Sequence, residues 1–165
     1  MDDSTVTGDA HSLAESLGRR GETVAVAETS AGGLIAATMI GVSGASAWFV
    51  GGVVPYSEAT RLEWLGVHAV TTGAVSARMA QALAEAVRSR TGATWGVGET
   101  GIAGPQGGRR SRKPAGLGYV AVAGPAGTSV EEVATGEDDR RRNQALFATA
   151  ALSLLARCVS AADQS

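Results

Sequence analysis

Residues 23–40 constrain the fold more than any other part of this chain. A short apolar run, residues 23–27, passes directly into Glu28-Thr29-Ser30-Ala31-Gly32-Gly33, after which residues 34–40 continue as small and apolar side chains. Such a run reads as a buried strand, a polar turn and a helix. This order brings hydroxyl groups and free backbone N–H donors to the C-terminal edge of a sheet. The rest of the chain repeats the alternation. Leu13, Ala14 and Leu17 suggest a first helix ending near Gly18 or Gly21, behind a leader at residues 1–10, and the domain itself is expected over 11–160. Residues 48–54 read as a second strand, followed by Tyr56 and a helix that stops at Gly66. Met79, Ala80, Leu83, Ala86 and Val87 stripe a helix over 76–89. A third strand over 94–99 leads into a glycine-rich loop over 100–118, and residues 118–123 and 129–134 form a hairpin around Gly124-Pro125-Ala126-Gly127. Residues 141–159 make the last helix. This alternation predicts a single-domain α/β sandwich with a mixed sheet flanked by helices.

Hydrophobic residues make up 44% of the 165 residues but aromatics only 4%. The core must therefore be built from Ala, Val, Leu and Ile in close layers. With 14 basic and 16 acidic residues the formal charge is −2, which gives no global attraction to nucleic acid or an anionic membrane. Cys158 is the single cysteine, which excludes an internal disulfide and a cysteine metal cage, suits a reducing compartment and is expected in the core. No secretory signal is evident, and no apolar run reaches the roughly 18 residues of a membrane span. A cytoplasmic location is expected.

Chemistry has two candidate locations. Thr29 and Ser30, at a helix N-terminus, can stabilise an alkoxide, a tetrahedral oxyanion or a phosphate; equally, one of them can serve only as a helix cap. The loop Thr100-Gly101-Ile102-Ala103-Gly104-Pro105-Gln106-Gly107-Gly108 lets backbone approach a ligand, though it lacks the lysine of a P-loop and reads equally as a surface loop. Arg109, Arg110, Arg112 and Lys113 cluster behind it, and Arg140, Arg141 and Arg142 follow Glu137-Asp138-Asp139, where local ion pairing is the plain expectation. His11 and His68 have no partners at ligand spacing, so neither a metal nor a Ser-His-Asp triad is expected.

Taken together these motifs resemble the CinA C-terminal (PncC-like) family. Its Glu-Ser-Cys-Thr-Gly-Gly turn corresponds to residues 28–33, its Tyr-Ser-Asn-Glu-Ala-Lys segment to 56–61, its Gly-Ala-Val-Ser helix start to 73–76 and its Gly-Ile-Ala-Gly-Pro loop to 101–105. The order matches throughout, and the spacing of the first two motifs matches without a gap. Lys113-Pro114-Ala115-Gly116 is similar to that family's Lys-Pro-Val-Gly.

The resemblance implies hydrolysis of the carboxamide of nicotinamide mononucleotide to nicotinic acid mononucleotide and ammonia, without a cofactor. It implies a hydroxyl nucleophile and a neutral lysine that takes up its proton. Thr29 stands at the family serine, Ser30 at the following cysteine and Arg61 at the lysine. A guanidinium, with a pKa above about 12, stabilises an anion but does not act as a free base. Thr29, Ser30, Tyr56 and Arg61 are thus the expected catalytic group, with Glu28 and Tyr56 as alternative bases. Glu28, Gly32, Gly33, Thr100, Gly101, Gly104, Gly107, Gly108 and Arg141 are the expected substrate contacts.

Three readings stay open: an amidohydrolase on a small-molecule nucleotide, a nucleotide-binding regulator that has lost the chemistry, and an interaction module using the basic loop. Nucleic acid is the least supported partner because no aromatic stripe accompanies the basic residues. A homo-oligomer is expected, with Trp48, Phe49, Trp64 and Trp95 as candidate anchors.

Overall fold

Gly96 and Gly98 set how closely the layers approach, since a Cβ on either would collide with the backbone carbonyl of Ala84 or Ala80 on the helix above. That contact is available only to a chain with small residues on both sides. In the computed structural model, which describes residues 3–68, 73–105 and 113–162, the elements run α1 (Asp3–Arg20), β1 (Val24–Glu28), α2 (Leu34–Ile40), a 3-10 turn (Ala45–Ala47), β2 (Phe49–Val53), α3 (Glu58–Leu65), α4 (Ala77–Thr91), β3 (Trp95–Gly101), β4 (Leu117–Gly124), β5 (Gly127–Ala134) and α5 (Arg140–Ala162). The sheet order is β2-β1-β3-β4-β5. β1 runs parallel to both β2 and β3, whereas β3–β4 and β4–β5 are antiparallel. The fold is an α/β sandwich with a mixed five-stranded sheet.

Alternation along the strands divides the core. Val24, Val26, Val97, Val120 and Val122 pack with α1, α2 and α5, while Ala25 and Ala27 pack with Leu65, Met79, Leu83 and Val87 on the other face. Phe147 on α5 is a fully buried member of the first cluster, and burying a side chain of that size contributes about 1.5–3 kcal/mol. Ser57 and Ser76 cap α3 and α4 by accepting from Thr60 N and Met79 N, each at 3.1 Å, which satisfies donors the first turn would leave orphaned.

Several expectations need correction. Helix α1 begins at Asp3, inside the stretch expected to be a leader. Helix α5, at 23 residues, is long and apolar enough by length and composition to cross a membrane, although no run was expected to be. Its Phe147, Ala151, Leu152, Leu155 and Val159 instead pack in the core. Trp48 and Trp95 are also core residues, at 3% and 4% exposure, and the Trp95 indole donates to Glu22 Oε2 at 2.8 Å. They are therefore unavailable as interface anchors, unlike the half-exposed Trp64. Cys158 is only partly buried. Gln106, Gly107, Gly108, Arg109, Arg110 and Arg112 lie outside the described residues.

Candidate active site

Because β1, β2 and β3 are parallel neighbours, their C-terminal ends leave the sheet at one edge. β1 delivers the hydroxyl turn, β2 the Tyr56 segment and β3 the glycine-rich loop. A cavity of about 380 Å³ opens there, lined by Thr29, Ser30, Tyr56, Arg61, Ala74, Val75, Thr100, Gly101, Ile102, Ala103, Gly104, Pro105 and Arg140. A larger groove of about 1070 Å³ lies between the β4–β5 hairpin and the end of α5. Its charged residues already pair, Arg20 with Glu22 at 2.6 Å and Arg157 with Glu131 at 2.7 Å, so the smaller cavity is the chemical candidate.

Side-chain bonds fix its walls. Gln144 Nε2 donates to Ser30 O at 3.0 Å, Thr100 Oγ1 to Ala74 O at 2.8 Å and Asn143 Nδ2 to Ala103 O at 2.7 Å. Lys113 Nζ donates to Val75 O. A Cβ on Gly101 would come within 2.7 Å of the Phe147 ring and 2.9 Å of Ser30 Oγ, and one on Gly104 within 2.8 Å of Arg140 Nε. Bare backbone at both positions is what leaves room for the hydroxyl and the guanidinium.

Arg61 is 8% exposed. Its Nη1 donates to Tyr56 O at 2.9 Å, and its buried Nε has no partner. No carboxylate among the described residues forms an ion pair with it. An unpartnered donor on a buried guanidinium is costly, and an anion in the cavity would relieve that cost.

Glu28 and Glu99 stand in register on β1 and β3, both fully buried. Glu28 stands among the expected bases and substrate contacts. The structure corrects this: its two carboxylate oxygens accept from Ile35 N at 3.1 Å and Ala36 N at 3.0 Å, so Glu28 caps α2, a task expected of Thr29 or Ser30, and it does not line the cavity. Burial holds its pKa above the ordinary carboxylate value, opposed by the N–H donors of Ala36, Ile35 and Gly33.

Glu99 was not singled out from the sequence. One oxygen accepts from Thr29 N and Ala31 N, each at 2.9 Å, and the other meets the Ser30 hydroxyl. Burial pushes its pKa up to about 7, against the opposing pull of those three donors and with some help from the neighbouring Glu28 charge. The signal that could have found it is an acidic residue ending an apolar strand immediately before the glycine-rich loop. Gly32 and Gly33 form the link into α2, with Gly33 at its N-cap, and neither lines the cavity. Arg141 is exposed and also off the lining, whereas Arg140, one position earlier, is on it. Arg142 makes the expected local ion pair, with Glu137 at 3.0 Å.

Fold and cavity together define an α/β domain with a buried hydroxyl–carboxyl pair and a cationic wall at the C-terminal edge of its parallel strands. The CinA C-terminal domain family matches residues 7–159, and the chain belongs to that family. It is 48% identical over 143 residues to a CinA-like protein of Anaeromyxobacter dehalogenans, covering 84% of this chain and 34% of the relative. It is 42% identical over 145 residues to one from Frankia casuarinae, covering 86% and 33%. The chain thus spans about a third of the length of these curated relatives. Among solved structures it is similar to the competence/damage inducible protein CihA of Agrobacterium tumefaciens, with a TM-score of 0.87, 31% identity, and 94% and 95% of the two chains covered. A CinA superfamily protein from Klebsiella pneumoniae matches with the same TM-score at 25% identity, covering 94% and 98%.

Proposed function

We propose that this domain hydrolyses the carboxamide of nicotinamide mononucleotide, releasing ammonia and nicotinic acid mononucleotide. The observation that carries the reading is the convergence of the Thr29 and Ser30 hydroxyls with the buried, incompletely partnered Arg61 on one cavity. Hydroxyl attack on an amide needs a group that takes up a proton and a fixed positive charge for the oxyanion or the nucleotide phosphate. Arg61 supplies the charge and, as a permanent cation, leaves the proton to another residue. The reaction needs water and no cofactor, and a nucleotide substrate of this kind is in keeping with a cytoplasmic protein.

Arg61 also favours a second reading. If its guanidinium only replaces the lysine expected from the family pattern, and nothing supplies the missing base, the domain binds the nucleotide without turning it over. Calorimetric titration of nicotinamide mononucleotide into wild type and Arg61→Ala, with ammonia release measured alongside, separates the two. Hydrolysis by wild type, with affinity lowered by about 1.5–3 kcal/mol in the variant, supports the enzyme reading, this being the range for hydrogen bonds to charged groups. Binding without ammonia supports the regulator, and unchanged affinity in Arg61→Ala removes the anion-contact role.

A further inference from the structure

We propose that Ser30 is the nucleophile of this cavity and Glu99 its general base, an assignment that rests on reading the site as amide-hydrolysing. The geometry discriminates among the hydroxyls. Ser30 Oγ meets a Glu99 carboxylate oxygen, whereas Thr29 Oγ1 reaches only the Glu99 backbone carbonyl, at 3.3 Å. A carbonyl accepts a hydrogen bond but does not hold a transferred proton. Tyr56 is 67% exposed, and Glu28 has both oxygens committed to the α2 N-terminus.

Glu99 is oriented for this task on its other side. The Thr29 and Ala31 N–H groups hold one oxygen, so the second is aimed at Ser30. Ser30 is in turn fixed by Gln144 on its carbonyl and by the absence of a side chain at Gly101. A hydroxyl, a base within reach and donors that orient the base form the arrangement an activated nucleophile requires. The charged group acting on Glu99 is Glu28, its register partner on β1, while Arg61 and Arg140 line the cavity that Ser30 faces. Val120 beside it on β4 is neutral, as are Gln144, which holds Ser30 O, and Phe147, which packs at Gly101. A carboxyl titrating at about 7 is poised both to accept and to return a proton at neutral pH.

In the first step Ser30 Oγ attacks the carboxamide carbon, the Oγ proton passes to Glu99, and the carbonyl electron pair moves onto oxygen. The tetrahedral intermediate then breaks its C–N bond. The Glu99 proton goes to the departing nitrogen, which is bonded to the same carbon as Oγ, and ammonia leaves. Water attacks the resulting ester with Glu99 accepting its proton; collapse returns that proton to Ser30 Oγ and releases the acid.

The test uses the full chain and a fluorophosphonate, which reports an activated hydroxyl whether or not nicotinamide mononucleotide is the substrate. Oγ displaces fluoride at phosphorus, and the Oγ proton passes to the base. The expected result is one adduct, mapped to Ser30 by peptide mass spectrometry, forming at a rate that rises with pH through a midpoint near 7. Glu99→Gln, checked for folding by its melting temperature, should label at least about 100-fold more slowly. An adduct on Thr29, a rate independent of pH between 5 and 9, or no adduct on folded wild type overturns the assignment. Labelling at Ser30 without ammonia from the nucleotide sinks the substrate reading and leaves the nucleophile standing.

Discussion

Replacing Glu99 by Gln should alter how stability depends on pH. The carboxyl titrates at about 7 in the fold, against 4.5 for an ordinary glutamate. Between those values the native state keeps the proton that the unfolded chain has released, so native protein binds more protons and stability falls as pH rises. The loss is complete once pH passes the folded value. Across a window about 2.5 pH wide, at about 1.4 kcal/mol each, it amounts to about 3 kcal/mol. A glutamine is neutral throughout, and its carbonyl can accept from Thr29 N and Ala31 N in place of the carboxylate oxygen that does so now. Its NH2 then faces the Ser30 hydroxyl as a donor. Denaturant unfolding of both proteins from pH 4.5 to 8.5 should show wild type losing about 3 kcal/mol more than the variant, a difference of about 6–12 °C in melting temperature for a domain of this size. Glu28, raised by burial in the same direction, remains in both proteins and largely cancels in the comparison. Parallel stability curves would refute the claim that Glu99 is held protonated by burial.

Gly101→Ala tests the close approach at the cavity floor. Its Cβ would press on Phe147 and Ser30 Oγ, so the variant should lose about 1–3 kcal/mol of stability by overpacking and label more slowly with fluorophosphonate, and an unaffected unfolding curve would count against that contact. A homo-oligomer is expected to bury exposed apolar side chains such as Val50 and Val54 at the β2 edge and Trp64 on α3, which are exposed at 50%, 39% and 46%. Light scattering at micromolar concentration should give a multiple of the chain mass, and a monomeric mass would reject the interface.

The fold was legible because its signals are local. Hydrophobic spacing marked α4, Ser76 stood at its start, and the glycine-bounded hairpin turn joined β4 to β5. Residues that gather at the cavity were legible for a related reason: parallel strands end together, so the segments after β1, β2 and β3 had to share an edge. Tertiary contacts were not legible. Trp48 and Trp95 are candidate anchors in a chain short of aromatics, yet both are buried in the core cluster. Arg140 and Arg141 are adjacent in sequence, and only the rotation of α5 decides which one reaches Gly104. Glu99 was missed because its role depends on Ser30, 69 residues away in sequence.

Glu28 and Glu99 show why an acidic residue's function cannot be assigned from its position on a strand. Both are carried on an apolar strand, both are fully buried, and they sit side by side in register. What separates them is the set of donors each meets. Glu28 points under α2, where consecutive N–H groups at Ile35 and Ala36 take one oxygen each. Its charge is spent on a helix terminus, where a positive partial charge and orphan donors make a carboxylate stabilising. Glu99 gives both of its backbone bonds to a single oxygen and leaves the other for a hydroxyl that faces the cavity. Two like charges so close would repel, and that repulsion adds to the burial that keeps the Glu99 proton on. Glu28 thus helps to set the proton affinity of its neighbour while fixing the turn that carries Ser30. Glu28→Gln should therefore lower the midpoint of the Ser30 labelling profile, because removing the neighbouring charge makes Glu99 easier to ionise; a midpoint that stays in place would show burial acting alone.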